Sequence, residues 1–309
     1  MTSVTLASLH LYPVKALAGI TREELTVEPW GPAADRRWML TSPDGSEVTQ
    51  REQPRLALVR AVPRPDDTCG GGPAGAALSI TAPGREPLEV GVPPADRETV
   101  PVRLFGKKLD VVPADAEASD WFSAYLGTEV LLVHLDAPER RRLIDPQFAS
   151  GGQTVSLADG FPLLLTAVSS LDALNSLIAQ GDHADEGPVP MDRFRPSLVV
   201  AGSTPWAEDR WRRLRVGEAV FRVAKPCGRC VVTTTDQTSG VRGKEPLRTL
   251  ARHRRFGDQL VFGQNLIPER TGRVRSGDSV EVLAQDLPSA AGTPSTAAAA
   301  AVRLKRPRP

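Results

Sequence analysis

The stretch Lys225-Pro-Cys-Gly-Arg-Cys-Val-Val-Thr-Thr-Thr-Asp236 carries the most information about this chain. Its β-branched run, Val231–Thr235, predicts a strand directly after the second cysteine. A Cys-x-x-Cys pair in a reducing compartment has three common chemical meanings: half of a zinc site, a redox dithiol, or a metal site that uses one of the thiols. The spacing alone is equally compatible with two buried small residues in a turn, because free cysteine is often a core residue.

Two of the three chemical meanings fit the surrounding sequence poorly. A structural zinc site needs four ligands, and the remaining candidates are Cys69 in a glycine-rich loop and four histidines without paired spacing, His10, His134, His183 and His253. A thioredoxin-like dithiol lies between a strand and the start of a helix, whereas here a strand is predicted after Cys230. The pattern therefore favours a thiolate at the mouth of a strand, with Lys225 and Arg229 as cations that promote its deprotonation.

The composition is that of a globular chain of 309 residues, long enough for one large or two ordinary domains. Hydrophobic residues make up 40% of it, and 38 Lys and Arg against 37 Asp and Glu give a net charge of +1, which argues against a nucleic-acid partner. Three cysteines are too few for a disulfide framework, so we expect a reducing, cytoplasmic location. Neither a signal peptide nor a membrane-spanning segment is predicted.

Short strands joined by tight turns are favoured by 26 glycines, 28 prolines and an aromatic content of only 5%, and the fold is predicted to be strand-rich α+β. Strands are predicted at Val4–Leu11, Trp38–Thr41, Leu56–Ala61, Glu129–Leu135, Leu198–Ala201, Val216–Ala224 and Ser279–Leu283. Helices are predicted at Ala116–Gly127, from a Ser169-Ser170 cap to near Gly181, and after Pro246, the last with Arg248, Arg252, Arg254 and Arg255 on its outer face. Pro63–Ala77 is predicted to be a flexible loop.

A series of short blocks occurs in the order found in MOSC proteins, which are named for the C-terminal domain of molybdenum cofactor sulfurase. The blocks are Tyr12-Pro-Val-Lys15, Asp35-Arg36-Arg37-Trp38, Thr49-Gln-Arg-Glu-Gln-Pro-Arg-Leu56, Arg193-Phe-Arg-Pro196, Cys227-Gly-Arg-Cys230 with Thr234-Thr235-Asp236, Lys244-Glu-Pro-Leu247 and Phe262-Gly-Gln264. The chain resembles in particular the branch that contains the mitochondrial amidoxime-reducing component and its bacterial relatives. The resemblance implies a MOSC N-terminal β-barrel-like domain in residues 1–120 and a MOSC β-barrel domain with flanking helices in residues 121–285. Residues 286–309 are expected to be a disordered tail.

The resemblance also implies a site. The metal ligand of the family matches Cys230, and the residues that hold the phosphate and polar edges of a pyranopterin match Lys15, Arg36, Arg195, Ser197 and Arg229, types suited to a phosphate. Asp159 matches a carboxylate near the metal that relays protons. Without the family, these cations would be read as solvated surface charges and Asp159 as a turn residue before Gly160. Ala16 and Gly228 replace two serines of the animal relatives.

The implied function is that of a molybdenum-dependent oxidoreductase. With the molybdenum cofactor, a Mo-pyranopterin dithiolene, it would reduce N-hydroxylated compounds (hydroxylamines, amidoximes, N-hydroxylated bases) to amines by oxygen-atom transfer to the metal. No cysteine cluster of the plant-ferredoxin kind is present in the sequence, so electrons are expected from a separate ferredoxin-, flavin- or haem-type protein. Two alternatives are a carrier that passes the cofactor or a sulfur to another enzyme, and a MOSC-like scaffold without metal.

Overall fold

The computed structural model describes residues 3–64, 76–94, 96–149 and 151–287. The fold is strand-rich, and the α+β class expected from the sequence is confirmed. Cys69, most of the predicted Pro63–Ala77 loop and residues 288–309 of the predicted tail lie outside the described residues. Within the described ranges, no helix combines the length and the apolar character that crossing a bilayer requires.

Strands are the most frequent secondary structure of the described chain. Those of the first half are β1 (Thr5–Leu11), β2 (Ile20–Arg22), β3 (Glu24–Glu28), β4 (Gly31–Pro32), β5 (Trp38–Thr41), β6 (Glu47–Val48), β7 (Arg60–Pro63), β8 (Ala76–Thr81), β9 (Leu88–Gly91), β10 (Val100–Leu104), β11 (Lys107–Pro113) and β12 (Leu131–His134). Those of the second half are β13 (Leu163–Ala167), β14 (Leu198–Ala201), β15 (Trp211–Val216), β16 (Ala219–Gly228), β17 (Arg255–Phe256), β18 (Gln259–Arg270), β19 (Gly272–Arg275) and β20 (Val280–Gln285). The helices are α1 (Ala116–Leu126), α2 (Pro138–Arg141), α3 (Val168–Ala179) and α4 (Leu247–His253).

The largest sheet has nine strands in the order β2-β1-β14-β13-β18-β16-β15-β20, with β17 paired to β18. Its neighbours run antiparallel except for β13 and β14, which are parallel. Strand β1 joins this sheet through β14, with Thr5 opposite Ala201. The first strands of the chain therefore complete a sheet that is otherwise built from its second half. The predicted domain boundary after residue 120 stays a prediction.

The remaining sheets belong mainly to the first half of the chain: β10-β11-β12-β5-β6, β7-β8-β9, and β19-β3-β4. Helix α1 buries Trp121 and Phe122 in the core formed with these strands and ends at Gly127, whose left-handed backbone closes the helix as predicted. Helices α3 and α4 pack over a separate cluster centred on Phe194 and Phe262, whose rings stack 3.9 Å apart between centroids.

Several predicted elements are wrong in detail, each for a local reason. Leu56–Ala61 is not one strand, because Pro54 starts a 3-10 turn over Pro54–Leu58 before β7 begins. Val216–Ala224 is instead a hairpin, with β15 ending at Val216 and β16 beginning at Ala219. Ser169-Ser170 does not cap α3, which begins at Val168.

The hydroxyl of Ser170 has another partner, since it accepts a hydrogen bond from the Trp206 backbone N–H at 2.8 Å. The outer face of α4 is also only partly as predicted. Arg248, Arg252 and Arg255 are exposed, but Arg254 is buried and pairs with Asp209 at 2.6 Å.

The predicted strand after Cys230 is also wrong. Residues Val231–Thr234 form a 3-10 turn, and the strand of this region is β16, which contains Cys227 and ends at Gly228, before Cys230. The Thr233 and Thr234 hydroxyls donate to the backbone oxygens of Cys230 and Val231, at 2.9 and 2.8 Å. Such local side-chain bonds compete with sheet pairing and outweigh the strand propensity of β-branched residues. The strand context that argued against a redox dithiol is therefore absent.

Candidate functional site

An open cleft lies where loops of the first half of the chain meet the ends of strands from the second half. Its lining is Lys15, Ala16, Arg36, Thr49, Gln50, Arg51, Ala158, Asp159, Gly160, Phe161, Leu163, Leu164, Phe194, Arg195, Cys227, Gly228, Arg229, Cys230, Val232, Thr233 and Asn265. The lining brings together residues from opposite ends of the sequence. Among them are all of the predicted site residues except Ser197.

Two of the predicted arginines share one aromatic ring. The guanidinium carbons of Arg36 and Arg195 each lie 4.4 Å from the ring centroid of Tyr12, which is buried and donates its hydroxyl to the Pro196 carbonyl at 3.1 Å. Cations over an aromatic face are attracted by its quadrupole. Burial raises the pKa of Tyr12 to about 12 and lowers the pKa of Arg195 to about 10, so at neutral pH the phenol is neutral and the guanidinium charged.

The backbone beneath these cations is unusual. Arg36 has a φ of 45°, Arg195 a φ of 52°, and Ala16, next to Lys15, a φ of 68°. Residues with a Cβ seldom occupy this left-handed region, and they concentrate where a side chain must point in a fixed direction. Arg36 is further held by Asp35 at 2.6 Å, and Arg195 by the Leu17 carbonyl at 2.6 Å. Both guanidiniums are thus fixed at the cleft by backbone and partners together.

Lys15 and Asp159 form an ion pair at one end of the cleft. The ammonium is 2.5 Å from Asp159 Oδ1 and 3.7 Å from Glu47 Oε2; the side chain of Lys15 is 7% exposed, that of Asp159 70%. Arg142 fixes the loop that carries Asp159 by donating to the carbonyls of Ala158 and Asp159. Crowding by the cleft walls raises the pKa of Asp159, but the charge and hydrogen bond of Lys15 outweigh it and hold the pKa well below its ordinary range.

The segment Cys227–Cys230, here called the cysteine turn, forms another part of the cleft lining. Cys227 is half-buried and Cys230 exposed, and both are free thiols. Arg229 donates to Cys227 Sγ at 2.9 Å and to the Phe194 carbonyl at 2.7 Å, while its buried Nε has no hydrogen-bond partner. The cation that reaches Cys230 is Arg51, whose Nη2 lies 3.8 Å from the sulfur.

The cations predicted to flank Cys230 are therefore placed differently. Lys225 does not line the cleft; its ammonium lies 4.9 Å and 5.4 Å from the ring centroids of Phe148 and Phe161. The sequence predicts no role for Arg51, although this residue lies in the Thr49–Leu56 block that carries part of the family resemblance. Only the fold shows that Arg51 faces a cysteine far along the chain.

Ser197 is separated from the cleft surface. It is fully buried, and its hydroxyl accepts a hydrogen bond from the Leu164 backbone N–H at 3.4 Å. Leu164 itself lines the cleft, so Ser197 lies directly behind the wall. Its contact with a bound ligand stays a prediction.

The charge of the cleft indicates what it can hold. Five cations and one carboxylate line it: Lys15, Arg36, Arg51, Arg195, Arg229 and Asp159. Such an excess attracts anions, and planar guanidiniums match phosphate oxygens. Among the residues that the structure describes, no group of three or more His, Cys, Asp or Glu side chains could hold a metal ion. A metal in this cleft would have one protein thiolate at most as an evident ligand, with its other ligands from a bound group.

The chain is similar to known proteins over most of its length. The profile of the MOSC N-terminal beta barrel domain matches residues 3–129, and that of the MOSC domain matches residues 152–281. Mitochondrial amidoxime-reducing component 1 of Xenopus laevis is 30% identical over 294 residues, which cover 89% of this chain and 80% of the frog protein. The human protein of the same name is 29% identical, with 91% and 83% covered. Molybdenum cofactor sulfurase of Oryza sativa subsp. japonica is 31% identical over 85% of this chain but only 32% of its own length.

Proposed function

The chain belongs to the MOSC family, and from that premise we propose that it binds a molybdenum–pyranopterin cofactor and reduces N-hydroxylated compounds to amines. Amidoximes, hydroxylamines and N-hydroxylated bases are the proposed substrates. The observation that carries the proposal is the exposed Cys230 thiol in a cleft lined by five cations and one carboxylate. A soft thiolate suits such a metal, and the cations suit an anionic cofactor.

The residues of the cleft fit this cofactor by their chemistry. Cys230 would supply the protein ligand to the metal. Lys15, Arg36, Arg195 and Arg229 would bind the phosphate and polar edges of the pterin, with Ser197 behind the wall. The unpartnered buried Nε of Arg229 is a donor that a ligand in the cleft would satisfy. When bound, the cofactor supplies a two-electron centre that takes the oxygen of the N–O bond.

Proton handling falls to the Lys15–Asp159 pair. Because the pKa of Asp159 lies below its ordinary range, its carboxylate is ionised at neutral pH. The proton-bearing member of the pair is then the Lys15 ammonium, which Asp159 holds at 2.5 Å. The proton relay proposed for Asp159 therefore works through both residues. Asp159 orients the Lys15 ammonium, which is the proton donor, and itself binds a proton only transiently.

Electrons are proposed to come from a separate carrier of ferredoxin, flavin or haem type, in the cytoplasm. The exposed Arg248 and Arg255 of the α4 region are a proposed docking point for an acidic carrier. NADH alone is expected not to support benzamidoxime reduction, whereas reduced viologen is. Turnover with NADH and the isolated chain would show that a further cofactor site exists.

The test of the proposal compares two cysteine variants made in a host supplied with molybdate. Wild-type protein and Cys227→Ser are expected to contain molybdenum and pterin and to reduce benzamidoxime with a viologen donor. Cys230→Ser is expected to lose that activity, since the metal would lose its protein ligand. Equal loss of activity in both variants, together with zinc in the purified protein, would overturn the assignment.

A second candidate function is a carrier or insertion module. It is favoured by the identity of 31% to a molybdenum cofactor sulfurase. Metal and pterin without turnover of any N-hydroxylated compound would support it. If the wild-type protein contains neither metal nor pterin, the remaining alternative is a scaffold without metal.

A further inference from the structure

Phe105 is an aromatic side chain beside the cleft that neither the core nor the proposed cofactor site uses. It lies in the two-residue turn between β10 and β11, where Leu104 pairs with Lys107. Leu104 is packed in a hydrophobic cluster, but the Phe105 side chain is 46% exposed. Its ring centroid is 5.0 Å from the Lys15 ammonium and 5.9 Å from the Arg142 guanidinium. The ring therefore stands next to the end of the cleft that holds the Lys15–Asp159 pair.

The backbone at Phe105 is unfavourable for its side chain. Phe105 has a φ of 51° and Gly106 a φ of 73°, both in the left-handed region. A two-residue hairpin turn of this kind favours Asn-Gly, because Asn and Gly tolerate positive φ. A bulky aromatic residue in this place is strained and half-exposed at once, so local stability does not account for it.

The ring of Phe105 is open to solvent over much of its surface, since the residue is 46% exposed. The two cations near the ring, the Lys15 ammonium and the Arg142 guanidinium, both bond to the same residue, Asp159. Glu47 anchors the turn from below, accepting from the Phe105 N–H at 3.4 Å while also lying 3.7 Å from Lys15. The half-exposed ring is thus held in place beside Lys15, a residue of the cleft lining.

We propose that Phe105 is a platform on which the aryl or heteroaryl part of a substrate stacks. The inference rests on the proposed function and deepens it. The platform would favour planar aromatic substrates, such as aryl amidoximes and N-hydroxylated bases, over alkyl hydroxylamines. A flat apolar ring gains from offset stacking on a second ring, and a small alkyl group gains little. Phe105 is a specificity residue, and the reacting N–O group is left to the cleft.

The test uses four variants. Phe105→Asn suits the turn and removes the ring, Phe105→Leu keeps apolar bulk without a ring, and Phe105→Tyr keeps the ring. Val92→Asn is the matched control, because Val92 is an apolar residue of similar exposure, 55%, and has neither an aromatic ring nor a place in the cleft lining. For each, the KM for benzamidoxime and for N-methylhydroxylamine is measured with a viologen donor. Independently of turnover, the Kd for benzamidine, the amidine that reduction of benzamidoxime would give, is measured by calorimetry, and folding is checked by thermal melting.

Phe105→Asn and Phe105→Leu are expected to raise the KM for benzamidoxime and the Kd for benzamidine by about 3- to 10-fold, the size of an aromatic pair contribution. Phe105→Tyr and Val92→Asn are expected to match wild type, and the KM for the alkyl substrate is expected to stay the same throughout. Equal changes for the aryl and alkyl substrates, or none, would overturn the platform. Ring-dependent benzamidine binding without any turnover would uphold the platform and refute the proposed reductase.

Discussion

At the scale of single residues, the cleft depends on side chains that the fold holds in energetically unfavourable backbone conformations and environments. Arg36 and Arg195 combine left-handed backbone with a shared Tyr12 ring and fixed partners. Cations that are largely withdrawn from water are tolerated when charged or polar partners compensate them, as Asp35 does for Arg36 and the Leu17 carbonyl for Arg195. Binding of an anion would complete that arrangement.

We expect Arg36→Ala and Arg195→Ala each to weaken cofactor retention by about 1.5–3 kcal/mol, the contribution of a hydrogen bond to a charged group. The measurement is pterin content per protein after gel filtration, with a thermal melt to verify folding. Arg85→Ala is the control, since Arg85 is exposed and its guanidinium lies 5.6 Å from the Trp121 ring, away from the cleft. Unchanged pterin content in both cleft variants would contradict the proposed phosphate pocket.

Glu208, which does not line the cleft, is another residue in an energetically unfavourable environment. Its carboxyl is fully buried and both oxygens lack a hydrogen-bond partner. Burial raises the pKa of Glu208 to about 7, with the nearby Ser170 hydroxyl offsetting only part of the effect. The native protein thus keeps a proton that the unfolded chain releases near pH 4.5. Its contribution to stability is complete below that pH and is lost as the pH rises through about 7.

Glu208→Gln keeps the shape of the side chain and removes this titration. We compare the change that this substitution makes in the free energy of unfolding at two pH values. That change is expected to be more favourable to the folded state at pH 8 than at pH 5, by about 1–3 kcal/mol, as linkage predicts for a carboxyl with a raised pKa. Urea unfolding at the two pH values measures the difference. Glu129→Gln, at an exposed position, is the control. The same change at both pH values would show that Glu208 does not titrate in this window.

At the scale of elements, strand β18 joins the two parts of the main sheet and carries the Phe262-Gly-Gln264 block. It pairs with both β13 and β16. Gly263 interrupts it with a φ of 81°, and a Cβ there would lie 2.7 Å from the Leu165 carbonyl oxygen. Glycine is required at this position because both the backbone angle and the close approach of β13 exclude a side chain.

Gly263→Ala is expected to lower the free energy of unfolding by about 2–4 kcal/mol, combining left-handed strain with a backbone clash. Gly277→Ala is the matched control: its φ is 87°, and nothing lies within 4 Å of the Cβ position. It is expected to cost about 1 kcal/mol, from strain alone. Urea unfolding measures the loss in free energy of unfolding for both variants, and the difference between the two losses is the contribution of the clash. Equal losses would show that β13 moves aside at no cost in free energy.

At the scale of the whole molecule, the two halves of the chain are interleaved. Strand β1 completes the sheet of the second half, and β19 from near the C-terminal end pairs with β3. A reciprocal amide pair joins Gln50, which lines the cleft, to Gln237, at 3.2 and 3.1 Å. Arg242 adds donors to the carbonyls of Gln50 and Arg51. These contacts hold Arg51 against the cysteine turn.

A fragment of residues 121–285 is therefore expected not to fold alone, because it lacks β1 and leaves the edge of β14 unpaired. Circular dichroism and urea unfolding of the fragment, beside the full chain, measure this. A fragment that begins at residue 3 and retains the whole described chain to residue 287 is the control and is expected to unfold cooperatively. Cooperative unfolding of residues 121–285 would show that the second half is autonomous.

The sequence by itself determined the strand-rich class, the family, and the residue types of the cleft. Those features depend on local pattern and on short blocks such as Cys227-Gly-Arg-Cys230, in which each residue is informative without its distant neighbours. Helix α1 and its Gly127 cap were predictable for the same reason, since a helix and its end are formed by contacts a few residues apart.

Only the tertiary structure decided which residues meet. In the structure Arg51, and not the predicted Lys225, lies beside Cys230. Ser197 lies behind the cleft wall at Leu164, and Val231–Thr234 forms a 3-10 turn instead of the predicted strand. Arg51 and Cys230 are 179 positions apart, and no periodicity within either segment records that separation. Their meeting is fixed by sheet pairing and by the Gln50–Gln237 and Arg242 contacts, which are long-range interactions that exist only once the chain has folded.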